Sequence, residues 1–477
     1  MRLPILLLAL FGAAQLNAAA ARQPNIVYFI IDELGYYELS HMGHPEMRTP
    51  NIDRLAKEGT RFTQCLAGSS VCAPTRCSLL TGKHAGHMTV RNNGGYDPLL
   101  PGEETIGTVL KRAGYAVGGF GKWGNGGRGT SGVPEKHGFD VFFGYYDQVH
   151  AHTFFPRYLV RNSQEVALAG NTGDPRNGKT FSQYLIVEEG KKFIRANRDR
   201  PFLAYMCWTP PHGVWGMPKD DPSWALYKDK PWSDDAKMYA AMVNMIDRQV
   251  GEVRALLQEL GVADNTFILF TGDNGGHEYF ADAQHPRGFF GPNVNPKTGV
   301  DFRGGKSNLY EGGLRVSAIA HWPGHVAAGR VTDHLSYFPD FMPTFAELAG
   351  TTPPRDTDGI SFVPELLGEK AAGRRQEQHR YLYWEITKHT AVRMGNWKAV
   401  RVGADAAWEL YDLAKDISEK NNVAAQKPDI LAQMKAFAAE AHRPMPAGVI
   451  YDRATLDKDR WYMGTAEATA AVKKKKK

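Results

Sequence analysis

Buried-strand patterns and helical patterns alternate along most of the chain. Continuous apolar runs, which are typical of strands covered on both faces, occur at residues 24–32, 116–123, 201–208 and 265–276. Helical spacing of apolar residues marks residues 49–59, 105–115, 181–198 and 235–260. We therefore predict an α/β fold, in which a mainly parallel sheet is flanked by helices on both faces.

The pattern changes after the turn-rich segment at residues 350–359. Short strand-like runs follow at 379–386, 390–402 and 407–413, and a helical pattern occupies 429–442. These runs predict an antiparallel sheet with one helix. We assign a large domain to residues 22–369 and a smaller C-terminal α+β domain to residues 370–465.

Both ends of the chain predict segments outside the fold. Met1, Arg2, an apolar run and small residues up to Ala21 are typical of a signal peptide over residues 1–21. Its removal would leave an exported protein, periplasmic or extracellular, that begins near Arg22. The apolar run is too short to span a bilayer and no later run is longer, so we expect no transmembrane segment. Residues 466–477 form a lysine-rich tail that we expect to be disordered.

The formal net charge of +6 does not describe the folded body. Arg2 and the five lysines at 473–477 together equal the whole excess of basic over acidic residues. The remaining body is neutral and lacks the basic surface that nucleic-acid binding requires, so we expect no nucleic-acid partner.

Two predicted strands end in pairs of oxygen-bearing side chains: Asp32 with Glu33, and Asp273 with Asn274. Ligands of open α/β sheets bind beyond the carboxyl ends of the strands. Four hard oxygen donors suit Ca²⁺ or Mg²⁺ better than zinc. Acidic residues after strands also cap turns, but two pairs on separate strands favour a metal site.

A cysteine stands at a predicted helix start. In "VCAPTRCSLLTGK", residues 71–83, Pro74 suits the first helical turn and Cys72 lies just before it, at an end that we expect to be exposed. Unpaired N–H groups there favour anions and lower a thiol pKa, so Cys72 can be a nucleophile. With Cys65, Cys77 and Cys207 also present, a Cys72–Cys77 or Cys65–Cys77 disulfide, or buried thiols, stay open.

The segment "CAPTRCSLLTGK" resembles the C-x-P-x-R signature of the type I sulfatases. Other segments resemble this family in the family's own order: "IVYFIIDELGYYELS", "TPNIDRLAKEGTRF", "FGKWG", "TPPHG", "FTGDNGG", "GGKSNLYEGGLRV" and "WELYDLAKDISEKNN". The similarity extends from about Asn25 to about Ala424. It implies an alkaline-phosphatase-like fold, with residues 22–369 as the catalytic domain of a sulfuric ester hydrolase.

The resemblance assigns a special role to Cys72. It implies oxidation of Cys72 to formylglycine by a formylglycine-generating maturation enzyme, which recognises Pro74 and Arg76. The hydrated aldehyde would attack sulfur with one oxygen, and its second hydroxyl would then allow sulfate to leave. The resemblance also implies one calcium ion held by five residues: Asp32, Glu33, Cys72, Asp273 and Asn274.

Four basic residues match catalytic residues of the family: Arg76, Lys122, His212 and Lys306. Arg76 matches the residue that holds the diol and the metal ligands, and the two lysines match those that bind sulfate. His212 matches the histidine that protonates the leaving oxygen, a role suited to a near-neutral pKa.

The chain departs from the family at two positions. Gly124 stands where many sulfatases have a second histidine near the formylglycine, and Glu33 stands where an aspartate is usual. His150 and His152 are the alternatives for the missing histidine, and we favour His152 as a substrate-binding residue.

Two other functions stay open. A phosphatase or phosphodiesterase of the same superfamily usually has a serine or threonine nucleophile and more histidine and aspartate ligands for two zinc ions. A non-catalytic carbohydrate-binding homologue would not need an intact Cys-Pro-Arg signature. Export, a neutral body and the second domain favour a sulfated sugar or polysaccharide as substrate, with aryl sulfates as artificial substrates.

Overall fold

A computed structural model of the chain describes residues 23–94, 96–445 and 452–461. The predicted signal peptide at 1–21 and the predicted tail at 466–477 lie outside these residues. None of the helices in the described part of the chain is long and apolar enough to cross a membrane.

One sheet of eleven strands forms the centre of the molecule. Its strands are β1 (Asn25–Ile31), β2 (Thr60–Leu66), β3 (Ala116–Lys122), β4 (Val141–Tyr145), β5 (Tyr158–Arg161), β6 (Gln164–Ala167), β7 (Phe202–Trp208), β8 (Thr266–Gly272), β9 (Arg315–His321), β10 (Arg330–Thr332) and β11 (Ser336–Tyr337). Their order is β10-β2-β9-β8-β1-β7-β3-β4-β5-β6, and β11 pairs with β2. Strands β8, β1, β7, β3 and β4 pair in parallel, whereas β9 pairs antiparallel with β8 and β2. The prediction of a mainly parallel sheet is confirmed.

The helices of the described residues are α1 (Pro50–Glu58), α2 (Cys72–Thr81), α3 (Ile106–Arg112), α4 (Ser182–Ala196), α5 (Pro222–Ala225), α6 (Asp234–Glu259), α7 (Glu311–Leu314), α8 (Phe341–Leu348), α9 (Val363–Leu367), α10 (Glu369–Ala372), α11 (Pro428–Ala441) and α12 (Arg453–Trp461). The helices predicted from periodicity correspond to α1, α3, α4, α6 and α11. Their ends differ from the prediction by a few residues, because terminal turns depend on local capping.

Helices on both faces of the sheet explain the continuous apolar run of β1. Alternate residues of β1, such as Phe29, pack in one core with α1, α4 and α6. The residues between them, such as Tyr28, pack in a second core with α2, α3 and α8. All are fully buried, and each large apolar side chain contributes about 1.5–3 kcal/mol. Strand β1 therefore lies at the centre of the fold.

A second sheet of four antiparallel strands lies in the C-terminal part of the chain. Its strands are β12 (Leu382–Ile386), β13 (His389–Met394), β14 (Trp397–Val402) and β15 (Glu409–Asp412). Helix α11 covers one face, where Met434 packs with Val392. Trp384 on the other face packs with Leu66 of β2. The predicted antiparallel sheet and its helix are confirmed.

The described hydrogen bonds and ion pairs that link helix α12 to other elements are with residues of the large domain. Arg128 Nε donates to Asp459 Oδ2 at 2.8 Å, and Arg460 Nε donates to Asp147 Oδ2 at 3.0 Å. Leu456 is fully buried. The assignment of residues 370–465 to one C-terminal domain stays a prediction, and the described contacts of α12 are with the large domain.

Candidate active site

The carboxyl ends of four neighbouring parallel strands, β8, β1, β7 and β3, meet at one edge of the large sheet. Asp32 follows β1, Asp273 follows β8, and Lys122 is the last residue of β3. Because these strands are adjacent and parallel, their last side chains lie close together. The two acidic pairs predicted from the sequence therefore come together.

Backbone hydrogen bonds lock the two acidic turns to each other. Asp273 N donates to Ile31 O at 3.0 Å, and Glu33 N donates to Asp273 Oδ1 at 3.0 Å. Glu33 has a φ of 59°, a left-handed conformation that costs about 1–3 kcal/mol and concentrates at functional sites. The Asp32, Glu33 and Asp273 side chains are fully buried. The turns after β1 and β8 thus bring three carboxylates together.

Burial and mutual repulsion separate the pKa values of the two aspartates. Burial raises the pKa of Asp273 to about 8, and the Asp32 carboxylate adds to this shift. Burial acts in the same direction on Asp32, but the charges of Lys122, His212 and Arg76 outweigh it and hold the pKa of Asp32 well below its usual range. Full ionisation of both carboxylates therefore requires further positive charge nearby.

The donor set at this point fits a hard divalent cation. Four residues offer oxygen ligands: Asp32, Glu33, Asp273 and Asn274. Asn274 is fully buried, and its Oδ1 has no hydrogen-bond partner among the described residues. Ligand atoms of Asp32, Glu33, Cys72 and His212 lie within 4.8 Å of one another. An additional cation would satisfy the amide oxygen and the crowded carboxylates together.

Cys72 is the first residue of α2, and its Sγ lies 3.2 Å from Asp32 Oδ1. Val71, the residue before α2, has no polar side chain to cap this helix end. Ala73 N instead donates to Asn93 Oδ1 at 2.8 Å. The prediction of an exposed helix start is wrong, since Cys72 and the other nine residues of α2 are all buried. The reason is tertiary packing of α2 against α3 and α8, which the local sequence does not reveal.

All four cysteines are free and buried. The disulfide alternatives, Cys72–Cys77 and Cys65–Cys77, are therefore wrong, and the buried-thiol alternative is confirmed. Burial raises the pKa values of Cys65, Cys77 and Cys207 to about 12, which makes these thiols unreactive at neutral pH. Cys72 differs from them in its position at a helix N-terminus among charged side chains.

Arg76 and Lys122 pair with the aspartates from inside the fold. Arg76 donates from NH2 to Asp273 Oδ2 at 3.1 Å and from NH1 to Lys122 O at 2.9 Å. Lys122 Nζ donates to Asp32 Oδ2 at 2.5 Å. Burial acts to lower the pKa of Lys122, but the Asp32 carboxylate outweighs it and raises that pKa. Both cations are fully buried and charged beside the site.

Lys306 and His212 approach the same carboxylates from the loops. Lys306 Nζ contacts Glu33 Oε1 and lies 3.2 Å from His212 Nε2. His212 Nε2 lies 2.9 Å from Glu33 Oε1, and its Nδ1 donates to Gly213 O at 2.9 Å. Burial acts to lower the pKa of His212, but Asp32 and the Cys72 thiol outweigh it and raise that pKa. The second lysine and the histidine thus join the predicted site.

His152, which the sequence offered as a replacement for the missing histidine, stacks on His212 with ring centroids 4.1 Å apart. His150 is buried elsewhere, with its ring 4.9 Å from that of Tyr158. Burial lowers the pKa of His152 well below the usual value, so this imidazole is neutral. The structure thus places the ring of His152 against the ring of His212.

Two residues near the site have no motif signal in the sequence. The Tyr279 hydroxyl donates to Glu33 Oε2, and its ring packs against Trp215 at 4.9 Å. Gln148, in the loop after β4, lies against Gly124. A tyrosine or glutamine in a loop is usually a packing or surface residue, so sequence patterns alone did not select either of them.

The chain is similar to known proteins over most of its length. The family model described as "Sulfatase" matches residues 24–351, and the model described as "N-sulphoglucosamine sulphohydrolase, C-terminal" matches residues 304–442. N-acetylgalactosamine-6-sulfatase of Homo sapiens is 32% identical over 438 residues, covering 85% of this chain and 77% of that protein. Arylsulfatase A of Homo sapiens is 32% identical over 483 residues, covering 90% of this chain and 89% of that protein. The crystal structure of Ps i-CgsB in complex with k-i-k-neocarrahexaose is similar with a TM-score of 0.74 and 26% identity, covering 92% of this chain and 97% of that one.

Proposed function

The chain belongs to the sulfatase family of sulfuric ester hydrolases, and on this premise we propose that it cleaves a sulfated carbohydrate with a formylglycine derived from Cys72, beside one calcium ion. One observation carries the proposal: a helix-start cysteine, three buried carboxylates and two lysines converge at the carboxyl ends of the central strands. A nucleophile, a cation site and positive groups for an anionic substrate thus occupy one volume.

We assign the nucleophile to Cys72 after its conversion by a formylglycine-generating maturation enzyme that reads Pro74 and Arg76. Cys72, Pro74 and Arg76 are all buried in α2, so we expect the conversion to precede complete folding. When hydrated, the aldehyde supplies an oxygen nucleophile and a second hydroxyl, which a thiol lacks. The position of Sγ next to Asp32 supports this assignment.

We propose that calcium is held by five residues: Asp32, Glu33, Asp273, Asn274 and the modified Cys72. A hard divalent cation is supported by the oxygen donors, by the buried carboxylate pair and by Asn274 Oδ1, which has no hydrogen-bond partner in the part of the chain that the structure describes. When bound, the ion supplies electrostatic stabilisation to the attacking and sulfate oxygens. Glu33, in place of the usual aspartate, keeps a carboxylate here and also contacts Lys306 and His212.

We assign different roles to the basic residues of the site. Lys122 and Lys306 lie beside different carboxylates, and we propose that both neutralise the sulfate oxygens. Arg76 holds the Asp273 carboxylate in place. His212 has its Nδ1 bonded to a backbone carbonyl, so Nε2 is the atom from which it donates a proton to the leaving oxygen. His152, stacked on His212, supports its ring orientation and completes the substrate side.

The substrate that we propose is a sulfated sugar or polysaccharide, met after export from the cell. Two similar proteins have carbohydrate names or ligands: an N-acetylgalactosamine-6-sulfatase and a structure in complex with k-i-k-neocarrahexaose. Aryl sulfates would serve as artificial substrates, because phenolate leaving groups need little protonation.

The test is sulfate release by the purified mature protein from a panel of sulfated saccharides and nitrophenyl sulfate, with nitrophenyl phosphate alongside. We expect sulfate release that a chelator abolishes and that calcium restores better than zinc. Faster release of phosphate than sulfate would favour the phosphatase alternative. Saccharide binding without release from any ester would favour the non-catalytic homologue.

A further inference from the structure

A glutamine near the site is buried with an amide that is unpaired in the described part of the chain. Gln148 is 3% exposed, yet neither its Nε2 nor its Oε1 has a hydrogen-bond partner among the described residues. Burying an unpaired amide costs free energy, and native proteins usually pair such groups with protein, water or a ligand. Gln148, both of whose amide atoms are unpaired, is therefore a candidate for binding a ligand.

Strand pairing brings Gln148 to the end of β3 that carries Lys122. Lys122 pairs with Tyr145 of the parallel strand β4. The pairing continues past both strands, where Gly124 N donates to Tyr146 O at 3.2 Å. Gln148 lies two residues after Tyr146, in the loop that follows β4. Gln148 thus lies at the same carboxyl edge of the sheet as the site residues.

The loop around Gln148 is fixed by its neighbour. Asp147 is 2% exposed, and its Oδ1 accepts from Val149 N at 2.8 Å. Its Oδ2 accepts from Arg460 Nε of α12 at 3.0 Å. Because Asp147 bonds to Val149 N and to α12, the backbone that carries the Gln148 side chain is held in position before any ligand arrives.

Gly124 leaves the space that the Gln148 amide fills. A Cβ on residue 124 would lie 2.9 Å from Gln148 Oε1, 3.7 Å from Arg76 Cδ and 3.9 Å from Ala73 Cα. Gly124 also has a φ of +80°, which residues with side chains rarely adopt. The amide oxygen therefore lies against the point where a side chain at position 124 would begin, and that point also borders Arg76 and Ala73, the residue that follows Cys72.

We propose that Gln148 is a sulfate-binding residue, whose carboxamide donates from Nε2 to an oxygen of the sulfate group that Lys122 and Lys306 neutralise. This inference rests on the proposed sulfatase function. The lysines supply charge without direction, whereas a planar amide held by a rigid loop supplies a donor at one fixed point. A carboxamide does not titrate near neutral pH, so Gln148 orients the sulfate and does not take a proton from it.

The test measures the dissociation constant of inorganic sulfate by calorimetry, together with KM for a sulfate ester, on the mature protein with calcium. Gln148→Leu removes the donor at nearly constant shape and should weaken sulfate binding roughly 10-fold, the effect of losing one hydrogen bond to a charged group. Gln148→Glu keeps the shape, adds a negative charge, and should weaken sulfate binding further.

The matched control is Gln183, a glutamine that is 1% exposed and whose Nε2 donates to Gln249 Oε1 at 2.9 Å in the core between α4 and α6. Gln183→Leu should lower the unfolding temperature and leave the sulfate dissociation constant unchanged. A change in sulfate affinity in this control would show that general destabilisation, and not a lost donor, weakens sulfate binding, and would contradict the inference.

The outcomes separate this inference from the proposed function. Wild-type sulfate affinity in Gln148→Leu, or in Gln148→Glu if the leucine variant does not fold, overturns the role of Gln148 while sulfate release by the wild type stands. A wild-type protein that neither binds sulfate nor releases it from any ester overturns the proposed function itself.

Discussion

Two buried clusters of charged side chains lie in this molecule, and they serve different ends. We call the first the site cluster: Asp32, Glu33, Arg76, Lys122, Asp273 and Lys306. We call the second the junction cluster, which joins α7 and β9 to the small sheet: Glu311, Arg315, Arg393, Lys398 and Glu419. The two are alike in alternation of charge and in burial, except that Lys306 is only partly buried.

In the junction cluster the carboxylates pair with cations of the protein itself. Lys398 Nζ lies 3.0 Å from both Glu311 Oε1 and Glu419 Oε1, and Arg315 Nε donates to Glu311 Oε2 at 2.9 Å. Burial acts to raise the pKa of Glu311, but Lys398 and Arg315 outweigh it and hold that pKa well below its usual range. In the site cluster the pKa of Asp273 shifts the other way, because burial raises it and the neighbouring Asp32 carboxylate adds to the shift.

The neutral neighbours separate the two clusters most clearly. Gln64, beside the junction cluster, accepts from Arg393 NH2 and donates to Asp333 O at 2.9 Å, so both ends of its amide are used. Gln148 and Asn274, beside the site cluster, keep buried amide atoms without partners in the described part of the chain. A buried charge cluster therefore marks a site only where neutral polar atoms are left for a ligand.

The largest effect should come from Cys72. Cys72→Ala should lower sulfate release by at least about 10³-fold, because it removes the group from which the nucleophile is made. Cys77→Ala, in the same buried helix, should keep most activity, since its thiol only packs. Steady-state release of sulfate from nitrophenyl sulfate measures both. Comparable losses in the two variants would mean that α2 matters for packing alone.

Exchanging one carboxylate in each cluster should separate activity from stability. Asp273→Asn should lower turnover by about 10³-fold and reduce bound calcium, because a metal ligand loses its charge. Glu311→Gln should cost about 3–5 kcal/mol of stability, since it leaves Lys398 and Arg315 under-compensated, while the folded fraction keeps its turnover. Turnover, metal content and unfolding midpoints are measured on both. Normal stability with lost activity in Glu311→Gln would contradict a purely structural role for the junction cluster.

His212 should affect substrates unequally. His212→Ala should lower turnover of a sugar sulfate by roughly 10²–10⁴-fold, because a strongly basic alkoxide needs a proton to leave. Nitrophenyl sulfate should lose far less, since its leaving group is a weak base. Lys306→Ala should weaken both esters evenly, because both share the sulfate group. Equal losses on the two esters in His212→Ala, with chemistry limiting the rate, would exclude His212 as the acid and favour His152.

The smallest effect is a pH dependence in the junction cluster. The pKa of Glu311 is lowered in the folded chain, so its ionisation stabilises the fold above the ordinary glutamate pKa of about 4.3 and loses that effect as pH falls below it. The cost of Glu311→Gln should therefore shrink, by at most about 1.4 kcal/mol per pH unit, between pH 5 and pH 3. Urea unfolding of both proteins measures it.

Glu419 does not disturb that window, because burial raises its pKa to about 7 and it is already protonated in the folded chain below pH 5. A cost of Glu311→Gln that stays constant or grows toward pH 3 would show that the carboxylate charge is not what stabilises the junction.

Local features of the site could be read from the sequence. Strand β1 and its terminal Asp32 are visible because a continuous apolar run ends in an acidic pair. The helix start at Cys72 is visible from Pro74, but its burial is not, since that depends on packing of α2 against α3 and α8. Disulfides were also left open, because pairing depends on distances that spacing does not determine.

Long-range features could not be read in this way. Gln148 reaches Gly124 only because β4 pairs with β3, and Tyr279 reaches Glu33 across 246 residues of chain. The junction cluster joins Glu311 to Lys398, which are 87 residues apart. Each of these side chains has an ordinary sequence context, so only the fold identifies its partner.

The most direct test of the central claim is mass spectrometry of the peptide that contains Cys72, on protein whose sulfate release has been measured in parallel. If Cys72 is converted to formylglycine, a fraction of this peptide will have lost sulfur and two hydrogens and gained one oxygen, the change from thiol to aldehyde. That fraction should rise in proportion to activity when a maturation enzyme is co-expressed. Full sulfate release by protein whose Cys72 is wholly an unmodified thiol would contradict the account.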